Sequence, residues 1–585
     1  MKKINLVTGN SLNLWDKKKR NVLINEWCID KKESFYKKKG FEFIVQNYHW
    51  TDEKKLQKDI IFIYNTYDKL LKEISIILNN IHKLNKPQYY WELLIFNWLW
   101  QFILFTFDRW EMVKSAEKRY QKIYSKHYQF KDESFCPDDN EELANKLIYS
   151  KSWNHFLFNK IIYFSKNIKL RQINKNKKYL KIFSETKKIK KNIIFPTTNN
   201  SKIFLKDLQY PRGFKSLLNL SYGQFKMFYS NPGFSKSSFN STLRKKKFVF
   251  KKSNNDFYNF LKYIIPISFP KVYLEGYKNL GKELKKLDWP KNPKIIITSI
   301  SHYTDPIFRY YVAKKRLEGS KFVIVQHGGK YGYTKFRMSE YFEKKISDRF
   351  LTWGNYKKDK KTRPLHVSSI VNQKSYIKFD KSKILMTNYE FPFIFARVDG
   401  YPRGYKEVIN HKKFLKNFIS SLQENIVNKL DIKNFLPWPK GKNVDFFKNY
   451  SQIERDFKVS FPSIRFFNNN KRAYEIRNNY RLQIETVDGT GFLEALSLNN
   501  PTILIYNQNF FKLDDKAKKY FKKLEECKII FTNPGEAANF LNRNYNKLDK
   551  WWFSSKLQKN RKTFCNMFAS HPQNPLTELR KNLVF

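Results

Sequence analysis

The segments Lys294-Ile-Ile-Ile-Thr-Ser299 and Phe322-Val-Ile-Val-Gln-His-Gly-Gly-Lys-Tyr-Gly332 decide the fold of this chain. Each begins with an apolar run that does not alternate with polar residues, which is typical of a parallel strand buried on both faces. Between them, residues 305–318 have a helical pattern that ends at Gly319. These features predict a β-α-β unit, and its crossover has the usual length.

The same alternation extends on both sides of this unit. A third strand is predicted at 349–352, and past residue 380 the pattern starts again. Further strands are predicted at 384–387, 482–485, 502–506 and 529–531, and helices at 414–430, 491–498 and 535–542. Two α/β blocks with a break near 356–380 predict an α/β fold in which two Rossmann-like domains face each other across a cleft.

The amino-terminal half contains additional elements. Residues 4–8 and 22–25 are short β-type runs, residues 55–125 predict helices, and the Lys-, Asn- and Ser-rich residues 165–255 predict a linker or an irregular insertion. The expected domains are an N-terminal Rossmann-like domain at 1–360 with helical and irregular insertions at about 55–290, a C-terminal Rossmann-like domain at 375–545, and a helical tail at 546–585.

The composition limits the class of protein. A chain of 585 residues is too long for a single core, and 41% hydrophobic and 18% aromatic residues exclude a wholly disordered chain. The formal net charge is +61, in a sequence rich in Lys, Asn, Ile, Phe and Tyr. This composition is typical of an AT-rich genome, so most of the charge needs no functional explanation. A basic surface would still attract anionic lipids and phosphorylated ligands.

The sequence predicts neither export nor a membrane span. Residues 1–15 lack the apolar run of a signal peptide, and the four cysteines are too far apart to suggest a disulfide framework or a zinc site. Both features favour a reducing, cytoplasmic location. The most apolar stretch, residues 93–107, is interrupted by polar residues and is shorter than the roughly 20 residues of a spanning helix. It predicts a buried helix, and contact with the inner-membrane surface is the alternative.

The first candidate site is the loop at residues 326–332, at the carboxyl end of a predicted strand, where open α/β sheets bind their ligands. Gly328 and Gly329 allow close approach of the backbone, and successive N–H groups can hold an anion. His327 is of the type that titrates near neutral pH, so it could take a proton from an acceptor hydroxyl. The alternative is a tight turn in which His327 only hydrogen-bonds its neighbours.

Charged residues around this loop are further candidates. Lys330 and Arg337 could offset phosphate charge. Glu340 and Glu343 share one face if their segment is helical, and either could act as a catalytic base, although most helical carboxylates are solvated. His302 follows the preceding strand, so it could share the cleft with His327.

The second candidate site follows the predicted strand that ends near Glu485. A helix begins at about residue 491, and its amino-terminal N–H groups and dipole are suited to phosphate. The residues predicted to bind donor phosphate there are Thr486, Asp488, Gly489, Thr490 and Gly491. Glu494 lies one turn into the helix and could reach ribose hydroxyls. The alternative is an ordinary capped helix, with Asp488 or Thr490 as the cap and Glu494 solvated.

Several motifs are absent from the sequence. There is no Asp-x-Asp triplet, no His-x-x-x-His or Cys/His spacing typical of zinc, no Gly-x-Ser-x-Gly elbow and no Walker A loop. We therefore predict no metal and no cofactor.

The motifs that are present resemble, taken together, a family of bacterial transferases found with surface-carbohydrate and O-antigen genes and first named from Leptospira. The matching segments occur in order at 25–28, 326–332, 343–354, 486–497, 500–503, 534–538 and 551–565. Members of the family are similar to glycosyltransferases of the two-domain GT-B kind. The resemblance therefore implies a metal-independent enzyme with an N-terminal acceptor domain and a C-terminal nucleotide-sugar donor domain.

The resemblance also implies roles for the two loops. In polyol-phosphate and ulosonic-acid transferases with a similar His-Gly loop, the matched His, here His327, is thought to act at the acceptor, and the second loop binds donor phosphate. The present sequence departs from the family pattern at one turn. It has Asp488-Gly-Thr-Gly491 where an Asn/Ser-Thr-Thr turn is expected, and so gains a carboxylate there.

Three functional hypotheses follow. The leading one is a cytoplasmic enzyme, peripheral on the inner membrane, that moves a nucleotide-activated sugar to a surface glycan such as O-antigen or capsule, or to its lipid-linked precursor. A CMP-linked ulosonic acid is one candidate donor. A polyol-phosphate transferase would use the same two loops. The third is a basic nucleic-acid-binding protein, but lysine is spread along the chain without a recognised motif, so we expect no nucleic acid partner.

Overall fold

A computed structural model describes ten segments of the chain. They are residues 3–29, 33–173, 201–224, 233–357, 359–373, 382–391, 405–435, 453–467, 473–509 and 511–585. The described segments contain three parallel β-sheets that follow one another along the sequence. The predicted α/β class is thereby confirmed, with three sheets where the sequence analysis predicted two.

The first sheet has the strand order β3-β2-β1-β4-β5. Its strands are β1 (Ile4–Val7), β2 (Asn21–Leu23), β3 (Phe43–Val45), β4 (Ile123–Tyr128) and β5 (Lys169–Ile173). The order reverses between β1 and β4, as in a Rossmann unit. The sequence analysis predicted only two short β-type runs here, because strands of three to six residues give little periodicity.

The second sheet contains the predicted β-α-β unit and has the order β10-β9-β8-β7-β6. Its strands are β6 (Ile203–Lys206), β7 (Ile295–Thr298), β8 (Lys321–Val325), β9 (Arg349–Thr352) and β10 (Thr362–Pro364). The prediction of an irregular stretch at 165–255 is wrong at β6, which pairs with β7 along its whole length. Residues 174–200 and 225–232 of that stretch lie outside the described segments.

The third sheet has the order β13-β12-β11-β14-β15-β16, which is again a Rossmann order. Its strands are β11 (Ile384–Tyr389), β12 (Leu430–Phe435), β13 (Arg465–Phe467), β14 (Leu482–Glu485), β15 (Thr502–Ile505) and β16 (Ile530–Phe531). The helix predicted at 414–430 begins and ends earlier in the structure, where it runs from Tyr405 to Ser420. All six residues of β12 pair with β11, so the strand begins where the helix was expected to end.

Helices connect the strands. The helices of the first two units are α1 (Glu33–Lys38), α2 (Glu53–His82), α3 (Gln88–Arg119), α4 (Asn140–Tyr149), α5 (Lys151–Ser165), α6 (Arg212–Ser221), α7 (Ser241–Lys247), α8 (Asp256–Ser268), α9 (Tyr277–Lys285), α10 (Ser301–Thr304), α11 (Pro306–Leu317) and α12 (Met338–Ile346). Those of the third unit and the tail are α13 (Tyr405–Ser420), α14 (Glu424–Val427), α15 (Ile453–Ser460), α16 (Ala473–Ile476), α17 (Thr490–Ser497), α18 (Asp515–Glu526), α19 (Pro534–Asn544), α20 (Leu548–Trp552), α21 (Ser555–Phe568) and α22 (Pro575–Lys581).

The most apolar stretch of the sequence, residues 93–107, lies in helix α3. This helix packs against α2 and α5 of the first unit and against α11 of the second, so it has protein on nearly every side. Residues 93–107 are buried, apart from Gln101. The prediction of a buried helix is therefore confirmed. None of the helices in the described segments is both long and apolar enough to span a membrane.

The carboxy-terminal residues return from the third unit to the second. The Val367 N–H donates to the Ser570 carbonyl at 2.9 Å, and the Ser570 N–H donates to the Trp353 carbonyl at 2.7 Å. A Cβ on Gly354 would lie 2.3 Å from the Met567 carbonyl oxygen, so glycine is needed where the chain crosses. These contacts hold the second and third units together beside their carboxyl edges.

Candidate active site

The two predicted loops meet between the second and third sheets. Strand β8 ends at Val325 and leads into the loop 326–332, whereas β14 ends at Glu485 and leads into α17. The Gly329 N–H donates to Thr490 Oγ1 at 3.0 Å. A Cβ on Gly329 would lie 2.5 Å from the carbonyl carbon of Gly489, a distance that real Cβ atoms do not adopt. Glycine at 329 therefore allows this approach of the two backbones, and the loops form one site.

A buried carboxylate lies between the two candidate histidines. Glu343 Oε1 is 3.1 Å from His302 Nε2 and 3.4 Å from His327 Nδ1, and the two rings are 6.4 Å apart between centroids. The Glu343 side chain has no exposed surface. Burial raises the pKa of Glu343, and the charge of His327 partly opposes that rise. Of the two glutamates predicted for this helix, Glu343 is thus the one that contacts the histidines.

His302 is buried in the protein interior and contacts the site through Glu343. Burial, and secondly the positive charge of Arg309, hold the pKa of His302 well below its usual value. The ring is therefore neutral at physiological pH, and its Nε2–H is suited to donate to Glu343. Arg309 Nη1 also donates to the His302 carbonyl at 2.8 Å, which fixes the backbone there. With 1% of its surface exposed, His302 is a positioning residue and does not reach a substrate in the cleft.

His327 is the more accessible of the pair, with 19% of its side chain exposed. Its Nδ1 faces Glu343 and lies 3.2 Å from the Tyr331 hydroxyl. A carboxylate at Nδ1 favours the tautomer with the proton on Nδ1, so that the lone pair is on Nε2. His327 is thereby oriented to accept a proton at Nε2, which is the arrangement required of a general base.

Glu340 and Arg337 shape the first loop. Glu340 accepts from the Gly332 N–H at 2.9 Å and from the Tyr356 hydroxyl at 2.9 Å, and it pairs with Lys344. Gly332 has a φ of +77°, and a Cβ there would overlap the Tyr356 ring. The carboxylate of Glu340 therefore holds the loop in place. The Arg337 guanidinium lies 4.6 Å from the centre of the Tyr331 ring, beside the histidine cluster.

Lys330 links the two loops. Its Nζ is 3.2 Å from Asp488 Oδ1 and 4.5 Å from the centre of the Phe511 ring. Its backbone N–H donates to the Tyr333 hydroxyl at 2.8 Å, and that hydroxyl donates to the Asp488 carbonyl at 2.5 Å. The structure therefore brings the basic residue predicted for phosphate next to the carboxylate that departs from the family pattern.

Helix α17 presents a free amino terminus to this site. Its N-cap residue, Gly489, has no side chain to cap the helix, and no side-chain cap hydrogen bond is formed. The alternative of an Asp488 or Thr490 cap is therefore wrong. The first N–H groups of a helix have no partner within the helix, and together with the dipole they form a site for an anion. Thr486 is held away from this site, because its hydroxyl donates to the Thr387 carbonyl at 2.9 Å.

Two glutamates lie beneath the start of α17. Glu485 was not a predicted site residue, yet a Cβ on Gly491 would lie 2.8 Å from its Oε1. Burial raises the pKa of Glu485 to about 7, and the charge of Glu494 adds to that rise. Glu494 is buried and accepts a hydrogen bond from the Ser369 hydroxyl, so the alternative of a solvated Glu494 is wrong. A carboxylate at the carboxyl end of a predicted strand, just before the Gly/Thr turn, was the feature that could have identified Glu485.

The first unit also reaches the cleft. Lys335, which follows the histidine loop, pairs with Glu53 at the start of α2. Glu26 follows β2, and burial together with the nearby charge of Glu407 raises its pKa. Glu407 belongs to α13, which begins on the carboxyl side of β11. The carboxyl edges of all three sheets therefore converge on the same region.

One group of metal-ligand types occurs in the described segments. His49, Asp59 and Glu111 have ligand atoms within 4.8 Å of one another. The Lys55 ammonium lies between the two carboxylates, 2.6 Å from Asp59 and 2.8 Å from Glu111. The Lys55 ammonium therefore occupies the position that a metal ion would take between these carboxylates. This group lies in the first unit, apart from His302 and His327.

Comparisons with known proteins identify the family. The sequence model described as LIC12162 family transferase matches residues 4–583. Because this match spans nearly the whole chain, the chain belongs to that family and is a transferase, as the sequence resemblance predicted. No curated protein gives a significant match.

Several solved structures are similar to the chain at low identity. The wall teichoic acid polymerase TagF is 11% identical, with 65% of this chain and 86% of that chain covered and a TM-score of 0.32. A UDP-forming α,α-trehalose-phosphate synthase from Burkholderia vietnamiensis is 10% identical, with coverages of 66% and 97% and a TM-score of 0.33. MnaA from S. aureus, in a structure with UDP, is 11% identical, with coverages of 64% and 100% and a TM-score of 0.34.

Substitution of Gly329 tests the contact between the two loops. We expect Gly329→Ala to lower the free energy of unfolding by about 1–3 kcal/mol, because the new Cβ would overlap Gly489 and force the loops apart. Urea denaturation measures the change. Gly213→Ala is the matched control, since a Cβ there would meet nothing within 4 Å. Equal stability of the two variants would contradict the proposed contact.

Proposed function

We propose that this transferase moves a sugar from a nucleotide-activated donor to a hydroxyl group of a surface glycan or of its lipid-linked precursor. The observation that carries the proposal is the contact between Gly329 and Thr490, which places an oriented histidine close to a free helix amino terminus. The histidine suits the acceptor, and the helix terminus suits the donor phosphate. CMP-linked ulosonic acids are among the donors that this arrangement could serve.

In the proposed reaction, His327 Nε2 removes the proton from the acceptor hydroxyl as its oxygen attacks the anomeric carbon. The bond between that carbon and the phosphate oxygen breaks, and the nucleotide leaves with the electron pair. Glu343, buried against Nδ1, stabilises the imidazolium that forms. His302 and Tyr331 hold the carboxylate and the ring in position. The proton then passes from His327 to solvent.

The leaving phosphate would be held by the start of α17 and by Lys330. In the present structure Asp488 pairs with the Lys330 ammonium, so donor phosphate would have to replace that carboxylate as the partner. Arg337, beside Tyr331, adds positive charge to the same loop. These groups could supply the charge compensation for which other transferases use a metal, and we propose that the nucleotide-sugar is the only co-substrate.

A transferase of polyol phosphate is the alternative. It would use the same histidine and the same helix amino terminus, but the acceptor oxygen would attack phosphorus instead of carbon. Asp488 fits either reaction, because a carboxylate beside the second loop can accept hydrogen bonds from the hydroxyls of a sugar, a polyol or a ribose. Sugar transfer from a diphosphate donor releases a nucleoside diphosphate, whereas polyol-phosphate transfer and sugar transfer from a CMP-linked donor both release a monophosphate. The last two differ in whether the group added to the acceptor contains phosphorus.

The proposed location is the cytoplasmic face of the inner membrane. The four cysteines are all free and buried, as suits a reducing compartment, and a strongly basic protein is attracted to anionic lipids. The acceptor would then be presented by the membrane. No nucleic acid partner is proposed, and binding to duplex DNA that persists at physiological salt would contradict this part of the proposal.

A nucleotide panel tests the proposed function. CMP, CDP, UDP, GDP and dTDP are compared by thermal shift against wild type, Gly491→Asp and Lys330→Gln. One nucleotide should stabilise the wild type by about 2.7 kcal/mol at 100 times its Kd. The shift should be lost in Gly491→Asp, whose new carboxylate meets Glu485 and the phosphate. Gly213→Asp is the matched control and should keep the shift. If no nucleotide stabilises the wild type, the proposal fails.

The pH dependence of nucleotide binding tests the position of Glu485. Because burial raises the pKa of Glu485 to about 7, the side chain is neutral below that pH and negative above it. A bound phosphate should raise this pKa further, so the affinity should fall as the pH rises from 6 to 8, by up to about tenfold per unit of pKa change. The ratio of wild-type affinity to that of Glu485→Gln, from calorimetric titration, isolates the effect from titration of the nucleotide. A ratio that does not vary with pH would place Glu485 away from the phosphate.

A further inference from the structure

Helices α6 and α22 lie side by side on one face of the second sheet. Phe214 and Leu218 of α6 belong to the same apolar cluster as Leu579 of α22 and Leu583. The cluster also contains side chains of β6, β7, β8 and β9, so both helices are anchored to the sheet. We call the outer sides of these two helices, together with the residues that follow α22, the α6–α22 surface.

One side of α6 exposes apolar residues where a surface helix is normally polar. Leu217 is 46% exposed and Leu220 is 60% exposed. The two leucines are three residues apart and so share one side of the helix, which borders the side formed by the buried Phe214 and Leu218. Next to α22, Val584 is 74% exposed and Phe585 is 50% exposed. The surface thus presents large apolar side chains from two segments to solvent.

The same two helices carry exposed basic side chains. Arg212 of α6 and Arg580 and Lys581 of α22 are exposed. The nearby acidic group, Glu578, is already engaged, since it accepts from His366 at 2.6 Å. The combination of exposed leucines with exposed cations matches an anionic lipid surface, where acyl chains bury the apolar groups and headgroups pair with the cations.

The surface begins next to the candidate active site. The loop from β6 to α6 lies at the carboxyl edge of the second sheet, where the Ser301 hydroxyl donates to Asp207 at 2.6 Å and the Gln209 N–H donates to Ser299 at 3.3 Å. His302 follows Ser301 directly and contacts Glu343 of the histidine cluster. The start of α6 therefore lies beside the cleft, whereas Val584 lies at the opposite edge of the sheet, where Arg349 at the start of β9 donates to its carbonyl at 2.5 Å.

We propose that the α6–α22 surface docks the enzyme onto an anionic membrane. Two other occupants fit less well. A second copy of the chain would place Arg212, Arg580 and Lys581 against the same basic groups, which is unfavourable. A nucleic acid would engage the cations but would leave the leucines exposed. The inference rests on the membrane contact proposed above, and it does not depend on the identity of the donor.

Co-flotation with vesicles tests the proposal on the full-length chain. The vesicles are of phosphatidylcholine alone or of phosphatidylcholine with phosphatidylglycerol. Wild type should bind only the anionic vesicles, and Leu217→Ser with Leu220→Ser should weaken that binding at least about tenfold, because two apolar side chains are lost from the contact. Arg580→Gln with Lys581→Gln should weaken it as well and should reduce its sensitivity to salt.

Matched variants distinguish vesicle binding through this surface from vesicle binding through the overall positive charge. Val459→Ser removes an apolar side chain that is 82% exposed on α15, and Lys245→Gln with Lys246→Gln removes two exposed cations from α7. Both should bind like wild type. Equal loss in these controls would overturn the proposal, as would absence of wild-type binding. A dimer seen by light scattering that the double serine variant abolishes would also overturn it. An unchanged nucleotide-induced thermal shift in every variant shows that the fold and the donor site are intact, so a failure here is distinct from a failure of the proposed function.

Discussion

The carboxylate of Glu343 has no exposed surface and lies between the rings of His302 and His327. A buried charge is costly unless it is paired, so this position is stable only while the neighbouring rings and hydroxyls face it. The cluster joins three segments: α10 after β7, the loop after β8, and α12 before β9. His302, kept neutral by burial and by Arg309, donates to the carboxylate, which in turn orients His327 toward the cleft. The chemistry proposed for His327 depends on this arrangement, because a carboxylate at Nδ1 is what leaves Nε2 to accept a proton.

The opposite side of the cleft is built by backbone geometry. Gly329 lets the histidine loop touch the start of α17, and Gly491 leaves room for the Glu485 carboxylate. Lys330 and Asp488 then connect the loops electrostatically. An ionised Glu485 beneath a phosphate site is unfavourable, and its raised pKa means that this cost is reduced below about pH 7. The site therefore combines a base that needs a charged partner with an anion site that is favoured by a neutral one.

Much of this could be predicted from the sequence, and the failures have physical causes. The strands of the β-α-β unit and the loop after β8 were predicted because unalternating apolar runs followed by a Gly-rich turn are strong local features. The loop after β14 was predicted from its Gly/Thr turn and the helix that follows it. Of the first sheet only the runs at 4–8 and 22–25 were predicted, since strands such as Phe43–Val45 are too short for a periodic pattern. Glu343 looked like an ordinary helical carboxylate, and only tertiary packing buries it. The bond from Ser369 to Glu494 and the pairing of Lys330 with Asp488 join residues more than 100 positions apart, which local patterns do not reveal.

The most direct test of the account is a double-mutant cycle on His327 and Glu343. The measured quantity is the rate of nucleotide release from the donor, in the presence of acceptor-containing membranes, for His327→Ala, Glu343→Gln and the double variant. If Glu343 acts through His327, each single variant should lose about 10²–10⁴-fold in rate, and the double variant should be no slower than His327→Ala. Losses that multiply in the double variant, or full activity in Glu343→Gln, would show that the two residues act separately and would contradict the account.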